Sequence, residues 1–262
     1  MTAEKFYDTL KKRFCDILAQ CESDSGCAVQ EEQVNIVCRA LPPEEAIGQT
    51  KRKDFPIITG KDVMIQAEFR GAFGQAFTDA PTAFSGTISE VLDMDIAGDP
   101  YARSLFIAVL NAVMASLGKC TGTVHCRTSG PENCAKDMKA FLEANYPKGT
   151  CIALIGYQPA LLDMLAHSNY KVRVLDLNPA NIGQERYGVL VEDGRSACES
   201  IIHGGADLIL CTGSTICNGT IVDYLELDTE VLFFGTSISG AAPLMGLNRV
   251  CFAAEYQTDS FA

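Results

Sequence analysis

The 262-residue sequence has no tryptophan and few basic residues, with 21 Lys and Arg against 33 Asp and Glu and a formal net charge of −12. The shortage is greatest in residues 151–262, which hold five basic and 13 acidic side chains. Because nucleic-acid binding requires clustered Lys and Arg, we expect no nucleic-acid partner. The one basic run, residues 51–53, is interpreted as a solvated loop.

Long hydrophobic runs are also absent. The sequence contains no stretch of 18 apolar residues, and its N-terminus, with Glu4 and Asp8 among scattered lysines, has no signal-peptide core. We therefore expect a soluble cytoplasmic protein with no membrane partner. Because 47% of the residues are hydrophobic, the chain can bury a full core, and its length predicts one or two domains.

Metal-binding spacings are missing, although the chain has 12 cysteines and three histidines. No two cysteines are separated by only two residues, which excludes a zinc knuckle and a thioredoxin-like pair. Cys151, Cys211 and Cys251 lie in apolar runs, where a thiol is usually a small buried hydrophobe. The sequence therefore assigns no metal site, and the cofactor stays undetermined. A metal or redox role of the cysteines is kept as the alternative.

The first 95 residues predict a small α+β domain. Apolar residues recur at three- and four-residue steps from Ala3 to Cys21, the period of a helix, and strand-like alternation follows up to Leu41. A second extended segment, residues 62–69, reaches a turn and predicts a β-hairpin with residues 72–78.

A longer helix is predicted between Asp99, a candidate N-cap, and Gly118, which can end it. One of its faces carries small side chains and Asn111, so another backbone can approach there. The Asn111 amide is interpreted either as a ligand contact or as a hydrogen-bond partner of a neighbouring loop.

The rest of the chain alternates helices with short apolar strands. A capping box at residues 129–132 predicts a helix up to about Asn145. Strands are predicted at 151–155, 171–176, 207–211, 231–234 and 250–253, and helices at 159–167, 197–203, 220–225 and 242–247. This alternation over short connections predicts a Rossmann-like, doubly wound, mostly parallel sheet. We assign residues 96–262 to this domain, including the connecting helices at 99–146.

The carboxyl ends of the predicted strands carry the candidate ligand-binding residues, because ligands of such sheets bind in the crevice at those ends. These ends are rich in Gly, Asn, Ser and Thr, which favours a small polar ligand. Residues 212–220 are more polar than a turn requires, although Asn218 or Thr220 can also cap the following helix. Together with Asn111, the candidates are Gly156, Gln158, Pro159, Asp176, Asn178, Thr212, Gly213, Ser214, Asn218, Gly219, Thr220, Thr236 and Ser237.

A nucleotide cofactor fits the sequence less well. Asp176 follows Gly156 by 20 residues and can bind a ribose hydroxyl, as in nucleotide- and methyl-donor-binding folds. The first turn, however, has one glycine where the dinucleotide fingerprint needs three, and Pro159 stiffens it. Asp176 is alternatively a turn residue that binds its own backbone.

Catalytic groups are hard to find among these residues. His125, His167 and His203 are interpreted as structural or exposed. Cys217, near a helix N-terminus, is a candidate nucleophile, but no histidine is assigned beside it. The sequence therefore assigns no catalytic residue.

The strand-end residues resemble those of a heavy-metal-chelation family known as domain of unknown function 364. The matching elements are Gly156-x-x-Pro159, Asp176-x-Asn178-Pro179, the segment from Thr212 to Thr220, the stretch from Gly235 to Pro243, and Asn111-Ala112. The resemblance implies an enolase-N-terminal-like domain in residues 1–95 and a Rossmann-like domain after it, with a ligand site between the two. One departure is Thr236-Ser237, which stands where the family pattern has a proline-containing turn.

For function, the resemblance implies an enzyme that condenses or hydrolyses a pterin-, flavin- or siderophore-like molecule linked to heavy-metal chelation. The strand-end residues would hold this small molecule, with Asn111 closing from the other domain. The alternatives are a non-enzymatic carrier of a metal or metallophore, with cysteine ligands, and an adenosyl-dependent methyltransferase-like protein. A heavy metal bound through a chelator is thus an expected partner, and homo-oligomerisation is left open.

Overall fold

The computed structural model of the protein describes residues 1–26, 28–31, 33–59 and 62–256. Within these ranges the α-helices are α1 (Ala3–Ser25), α2 (Pro43–Ile47), α3 (Pro56–Thr59), α4 (Ile88–Leu92), α5 (Pro100–Ser116), α6 (Gly130–Asn145), α7 (Pro159–Ala166), α8 (Gly194–Ser200), α9 (Thr215–Asn218) and α10 (Ala241–Met245). The strands are β1 (Gln33–Leu41), β2 (Val63–Phe69), β3 (Ala72–Thr78), β4 (Phe84–Thr87), β5 (Cys151–Ile155), β6 (Lys171–Asp176), β7 (Glu185–Arg186), β8 (Val189–Asp193), β9 (Leu208–Thr212) and β10 (Glu230–Phe234).

The first sheet has four antiparallel strands in the order β3-β2-β1-β4. Its hairpin is the predicted one, because β2 and β3 pair up to Phe69 and Ala72 and leave a two-residue turn. Both turn residues, Arg70 and Gly71, have positive φ angles, 49° and 77°, as the twist of a tight hairpin requires. The inward face of β2 buries Ile65, Ala67 and Phe69.

The second sheet has the order β10-β9-β5-β6-β8-β7. All pairs are parallel except β7 with β8, which is antiparallel. The chain starts in the centre at β5, builds outward through β6 and β8, and then returns to the other side of β5 at β9. This is the Rossmann-like arrangement predicted from the sequence, and its switch point lies between β5 and β9.

Two local predictions are wrong. Residues 250–253 form no strand, because the chain meets β10 only at an isolated bridge between Phe233 and Arg249 and then enters a 3-10 turn at Ala253–Tyr256. The capping box is also absent, since Ser129 has near-helical angles (φ −91°, ψ 2°) and makes no side-chain cap bond. An N-cap needs extended angles to aim its oxygen at the free N–H groups.

Helix α5 lies against the first sheet and joins the two halves of the core. A Cβ on Gly74 of β3 would lie 2.1 Å from the backbone nitrogen of Ala112 and 2.3 Å from the carbonyl oxygen of Ala108. Only glycine allows this approach, which confirms that the small-residue face of α5 receives another backbone. One continuous apolar cluster contains residues of α1, the hairpin, α5 and the Rossmann-like sheet.

The division into two domains near residue 95 stays a prediction. Helix α1, at the start of the chain, contacts the second half directly: the Tyr7 hydroxyl donates to the Ile216 carbonyl at 2.6 Å, and Arg13 donates to the Leu244 carbonyl at 2.6 Å. Among the described residues, no helix has the length and apolar character needed to cross a bilayer.

Candidate functional site

A cavity of about 180 Å³ lies at the carboxyl ends of the Rossmann strands, where they meet the first sheet. Apolar side chains from both sheets form much of its wall, and polar groups come mainly from the strand ends. The described lining residues are Ile47, Phe55, Pro56, Ile57, Asp62, Met64, Phe77, His125, Cys126, Pro131, Cys134, Met138, Gly156, Tyr157, Gln158, Pro159, Leu161, Asp176, Asn178, Asn181, Thr212, Ser214, Phe234, Gly235, Thr236, Ser237, Cys251 and Ala253. Nine of the 14 predicted site residues are in this set.

Gly156 and Thr212 form the floor of the cavity at the switch point. Gly156 has a φ of 86°, and a Cβ there would lie 2.5 Å from the Thr212 methyl carbon. A side chain is therefore excluded by both conformation and space. Glycine at this strand end keeps β5 and β9 in close contact and leaves the space above them open.

Asp176 ends β6 and is held by backbone groups. Its Oδ2 accepts the N–H of Tyr157, and its Oδ1 accepts the N–H of Asn178, both at 2.6 Å. The second of these bonds is the turn interaction expected for an Asp at this position. Each carboxylate oxygen has a further lone pair, so Asp176 still presents acceptors to the cavity in a fixed orientation.

Gln158 and Asn178 also stabilise local structure. The Gln158 side chain caps α7 by accepting the N–H of Leu161 at 2.6 Å, and Pro159 occupies the first helical position. The Asn178 side chain accepts the N–H of Ala180 at 3.0 Å. All three predicted residues line the cavity, but part of their hydrogen-bonding capacity is already used.

The polar segment 212–220 divides into two parts. Thr212 and Ser214 line the cavity, with their hydroxyl oxygens 3.2 Å apart. Gly213, Asn218, Gly219 and Thr220 do not line it. The Asn218 Oδ1 instead accepts the N–H of Thr220 at 3.0 Å and its hydroxyl at 2.8 Å. The predicted N-cap role of Asn218 or Thr220 is wrong, because Gly219 is the N-cap of the following 3-10 helix and no side chain caps it.

Asn111 lies outside the cavity, and the interpretation as a ligand contact is corrected here. The side chain is completely buried. Its Nδ2 donates to the carbonyls of Gln75 (2.9 Å), Ser237 (3.1 Å) and Thr236 (3.2 Å), and its Oδ1 accepts the N–H of Gly240 at 2.7 Å. The amide is therefore the partner of a neighbouring loop, and it positions the cavity wall formed by Thr236 and Ser237.

Asp62 is the most informative cavity residue that the sequence reasoning missed. It directly precedes β2 and faces the Asp79 position across the hairpin, one step beyond the pair formed by Val63 and Thr78. Burial, and then the negative charges of Asp79 and Asp176, raise its pKa to about 6. Among the described residues no group donates a hydrogen bond to its carboxylate. A carboxyl group with these properties in a cleft is a candidate acid or base.

His125 and three thiols form a second group on the cavity wall. Burial lowers the pKa of His125, so the ring is neutral at pH 7. Its Nδ1 lies 2.6 Å from the Cys126 carbonyl; because a carbonyl only accepts, Nδ1 carries the proton and Nε2 has the lone pair. Cys134 hydrogen-bonds with both Cys126 and Cys251; the bond with Cys126, together with burial, raises the pKa of Cys134 to about 12, although the bond with Cys251 acts in the opposite direction. Cys126 and Cys134 are eight residues apart and Cys251 is more than a hundred residues further on, so the spacing matches no metal motif and does not predict the group.

Arg52 anchors the segment 52–57, whose residues Phe55 and Ile57 line the cavity. Its guanidinium donates to the carboxylate of Asp163 and to the Tyr187 hydroxyl, and that hydroxyl donates to Asp54. The Arg52 side chain is only 19% exposed. The prediction of a solvated loop is therefore wrong for Arg52, because the hydroxyl and carboxylate groups that bind it come from distant parts of the chain.

A metal centre is not apparent in the described part of the chain. No group of three or more His, Cys, Asp or Glu side chains there has an arrangement that would hold a metal ion. Cys217, the candidate nucleophile, is buried, and burial raises its pKa to about 12. A high pKa leaves little thiolate at neutral pH, so this cysteine is a poor nucleophile.

Comparisons with known proteins match part of the chain to a protein family and name no ligand. The sequence profile of the family described as "Putative heavy-metal chelation" (DUF364) matches residues 140–247, which confirms the resemblance for that part of the chain. The enolase-N-terminal-like description of residues 1–95 stays a prediction. A search of curated proteins found no match.

Two solved structures with similar folds are both described as DUF364-family proteins of unknown function. The protein from Pyrococcus horikoshii is 19% identical, with a TM-score of 0.47, over 68% of this chain and 69% of that chain. The protein from Desulfitobacterium hafniense is 12% identical, with a TM-score of 0.49, over 90% of this chain and 84% of that chain.

Proposed function

We propose that this protein is an enzyme that binds a small flat heterocycle, of the pterin or flavin-ring kind, in the strand-end cavity and uses Asp62 as its acid or base. The observation that carries the proposal is the position of Asp62, a partly buried carboxyl with a pKa of about 6, in the wall of the cavity. This combination of apolar walls, few polar groups and a perturbed carboxyl is typical of ligand sites.

The size of the cavity limits the ligand. Typical pockets for drug-sized molecules have about 300 Å³ or more, whereas a cavity of about 150 Å³ accepts benzene. The 180 Å³ found here therefore suits one or two fused rings, so a pterin fits completely and the three-ring flavin system fits only in part. A complete dinucleotide or adenosyl cofactor would have to leave most of its atoms outside, which disfavours the methyltransferase-like alternative.

Apolar side chains on the wall suit the faces of a ring. Phe55 and Phe77 belong to the first half of the chain, and Phe234 ends β10. Hydroxyl groups of Thr212 and Ser214 and the carboxylates of Asp62 and Asp176 offer hydrogen bonds to its edge. Aromatic and hydroxyl groups of this kind bind a planar molecule by contact with its faces and fix its orientation through its edge.

Asp62 provides the chemistry that condensation or hydrolysis requires. Above pH 6 its carboxylate accepts a proton from an attacking water or amine, and the acid so formed returns the proton to the leaving group. A group with a pKa near the operating pH performs both transfers, whereas an unperturbed Asp is a weak base.

Binding is tested by titrating the protein with pterin and with lumiflavin, in calorimetry or fluorescence. The Ser214→Leu substitution fills the cavity and should abolish binding, whereas Thr220→Leu, in the same segment but outside the cavity, should leave the dissociation constant within about twofold. Circular dichroism confirms that both variants fold. Binding that survives Ser214→Leu, or no binding of either ring by wild-type protein, would contradict the proposal.

Catalysis is tested on pterin or flavin conjugates with a hydrolysable amide or ester bond, and the products are followed by mass spectrometry. We expect the rate to rise through about pH 6 in the wild type and to lose this dependence in Asp62→Asn. Retention of full activity by that variant would assign the acid or base elsewhere.

The carrier alternative has one observation in its favour, namely the three thiols of Cys126, Cys134 and Cys251 on the same wall. Metal analysis of anaerobically purified protein separates it from the proposal. Stoichiometric metal that is lost in Cys134→Ser would favour a carrier.

A further inference from the structure

The charged side chains that line the described part of the cavity are of one sign. Among the described lining residues none is Lys or Arg, whereas two are Asp. Four further titratable lining groups are neutral at pH 7, because His125 has a lowered pKa and the pKa values of Cys134, Cys251 and Tyr157 are raised. The described wall therefore carries two carboxyl groups and no basic Lys or Arg side chain to balance them.

The two carboxylates are electrostatically coupled. Asp176 is one of the charges that disfavour ionisation of Asp62, and Asp79, just outside the cavity, is another. Like charges near each other in a partly desolvated site repel more strongly than in water. A cation between them would remove this repulsion, and an anion would increase it.

Hydrogen-bond geometry also favours a ligand that brings donors. Asp176 is held by two backbone N–H groups, each at 2.6 Å, so its orientation is fixed and one lone pair on each oxygen is left. No described group donates to Asp62. Both side chains line the cavity and offer only acceptors to a ligand when they are ionised, which complements an edge of N–H donors.

From this arrangement we propose that the ligand enters with a cationic, donor-bearing edge of the amidine or guanidine type, which is bound between Asp62 and Asp176. This inference rests on the ligand site proposed above and specifies the chemical class that the site selects. Neutral rings without such an edge bind more weakly, and carboxylates are excluded.

Three molecules of nearly the same shape test the charge selection: benzamidine, benzamide and benzoate carry a charge of +1, 0 and −1. We expect benzamidine to bind about tenfold or more tightly than benzamide at pH 7.5, the size expected for a hydrogen bond to a charged group, and benzoate not to bind. NMR chemical shifts of Gly156 and Ser214 show whether binding occurs in the cavity.

Two matched variants test whether Asp62 is responsible for the preference for benzamidine over benzamide. Asp62→Asn should weaken benzamidine binding about tenfold and leave benzamide within about twofold, because it removes a cavity charge and keeps the shape. Asp79→Asn removes an exposed charge nearby that does not line the cavity, and should change benzamidine binding less than threefold. In calorimetry at pH 6, benzamidine should displace protons from the wild type and Asp79→Asn, but not from Asp62→Asn.

The inference is overturned if benzamide or benzoate binds in the cavity as tightly as benzamidine, or if Asp62→Asn leaves benzamidine affinity unchanged. In either case the cavity is still a ligand site and the proposed function stands. If benzamidine shifts no cavity resonance, the inference is likewise overturned, and the pterin and lumiflavin titrations then decide the proposed function separately.

Discussion

The backbone N–H of Phe77 donates to the Ser237 hydroxyl oxygen at 2.9 Å. This bond joins β3 of the antiparallel sheet to the loop after β10, and both residues line the cavity. The cavity wall is therefore made by a contact between the two halves of the chain. Its shape depends on a few hydrogen bonds of this kind rather than on either sheet alone.

Ser237→Ala tests this contact. The substitution leaves the Phe77 N–H without its partner in a buried place, which should lower the free energy of unfolding by about 1–3 kcal/mol and weaken ligand binding. Urea unfolding and the pterin titration measure the two effects. The exposed Ser85→Ala is the control and should change stability by less than about 0.5 kcal/mol. Equal stability of the two variants would show that the bond contributes nothing.

Asn111 and Asn218 should respond differently to truncation. Asn111→Ala removes four buried hydrogen bonds and should cost about 3 kcal/mol or more. Asn218→Ala removes two exposed hydrogen bonds to Thr220 and should cost about 1 kcal/mol, without a change in ligand affinity because Asn218 does not line the cavity. Urea unfolding and ligand titration test both. If a stable Asn218→Ala protein lost ligand affinity, Asn218 would be a ligand-binding residue after all.

The predictable part of this structure came from local patterns. Hydrophobic period predicts α1, α5 and the strands β5, β6, β9 and β10, but not β7 and β8. Strand-end rules place Gly156, Asp176 and Thr212 together. These features depend on neighbours within a few positions, or on the fixed geometry of a parallel sheet. For them, a single sequence is sufficient.

The other features depend on contacts between distant segments. Nothing near Asp62 in the sequence indicates that its carboxyl lies close to Asp176 in a cavity, and nothing near Arg52 indicates Asp163 as its partner. The small-residue face around Asn111 predicted a close approach, but the loop that uses the amide is more than a hundred residues away. Tertiary packing, which no local signal encodes, decides these roles.

Ionisation of Asp62 should make folding stability depend on pH. Its pKa is about 6 in the folded state and about 3.9 in an unfolded chain, so the folded state holds more protons between these values. The free energy of unfolding therefore falls as pH rises from about 4 to 6 and stays lower above pH 6. A shift of two units corresponds to about 3 kcal/mol, which solvent screening of a partly exposed side chain reduces to about 1 kcal/mol.

Asp62→Asn isolates this contribution. At pH 7 the variant should be more stable than the wild type by about 1 kcal/mol, and at pH 4 the two should agree, because the wild-type carboxyl is then protonated in the folded state. Urea unfolding at both pH values provides the measurement. Asp8→Asn, an exposed change on α1, should show no such difference. A variant that is less stable than the wild type at pH 7 would contradict the raised pKa.

Tyr187→Phe tests whether the hydrogen bonds of Tyr187 anchor residues 52–57, which include the cavity residues Phe55 and Ile57. The Tyr187 hydroxyl accepts from Arg52 and donates to Asp54, so its loss should cost about 1–2 kcal/mol. Hydrogen exchange of residues 52–57 should accelerate more than that of β5. Tyr101→Phe, at a tyrosine that is 52% exposed, should leave both unchanged. Uniform acceleration across the protein would indicate general destabilisation instead of release of this segment.

The thiols on the cavity wall should be unreactive in the native protein. The hydrogen bond with Cys126 and burial raise the pKa of Cys134 to about 12, and the hydrogen bond with Cys134 raises that of Cys251. Because the thiolate is the reactive form, iodoacetamide at pH 7.5 should modify Cys134 about a thousandfold more slowly than in the urea-unfolded chain, measured by peptide mass spectrometry. Equal rates in both states would show that Cys134 is ionised and accessible, which is the condition that a thiolate metal carrier requires. Slow modification would instead show that the Cys134 thiol is uncharged. The charge of the cavity would then come from Asp62 and Asp176 alone.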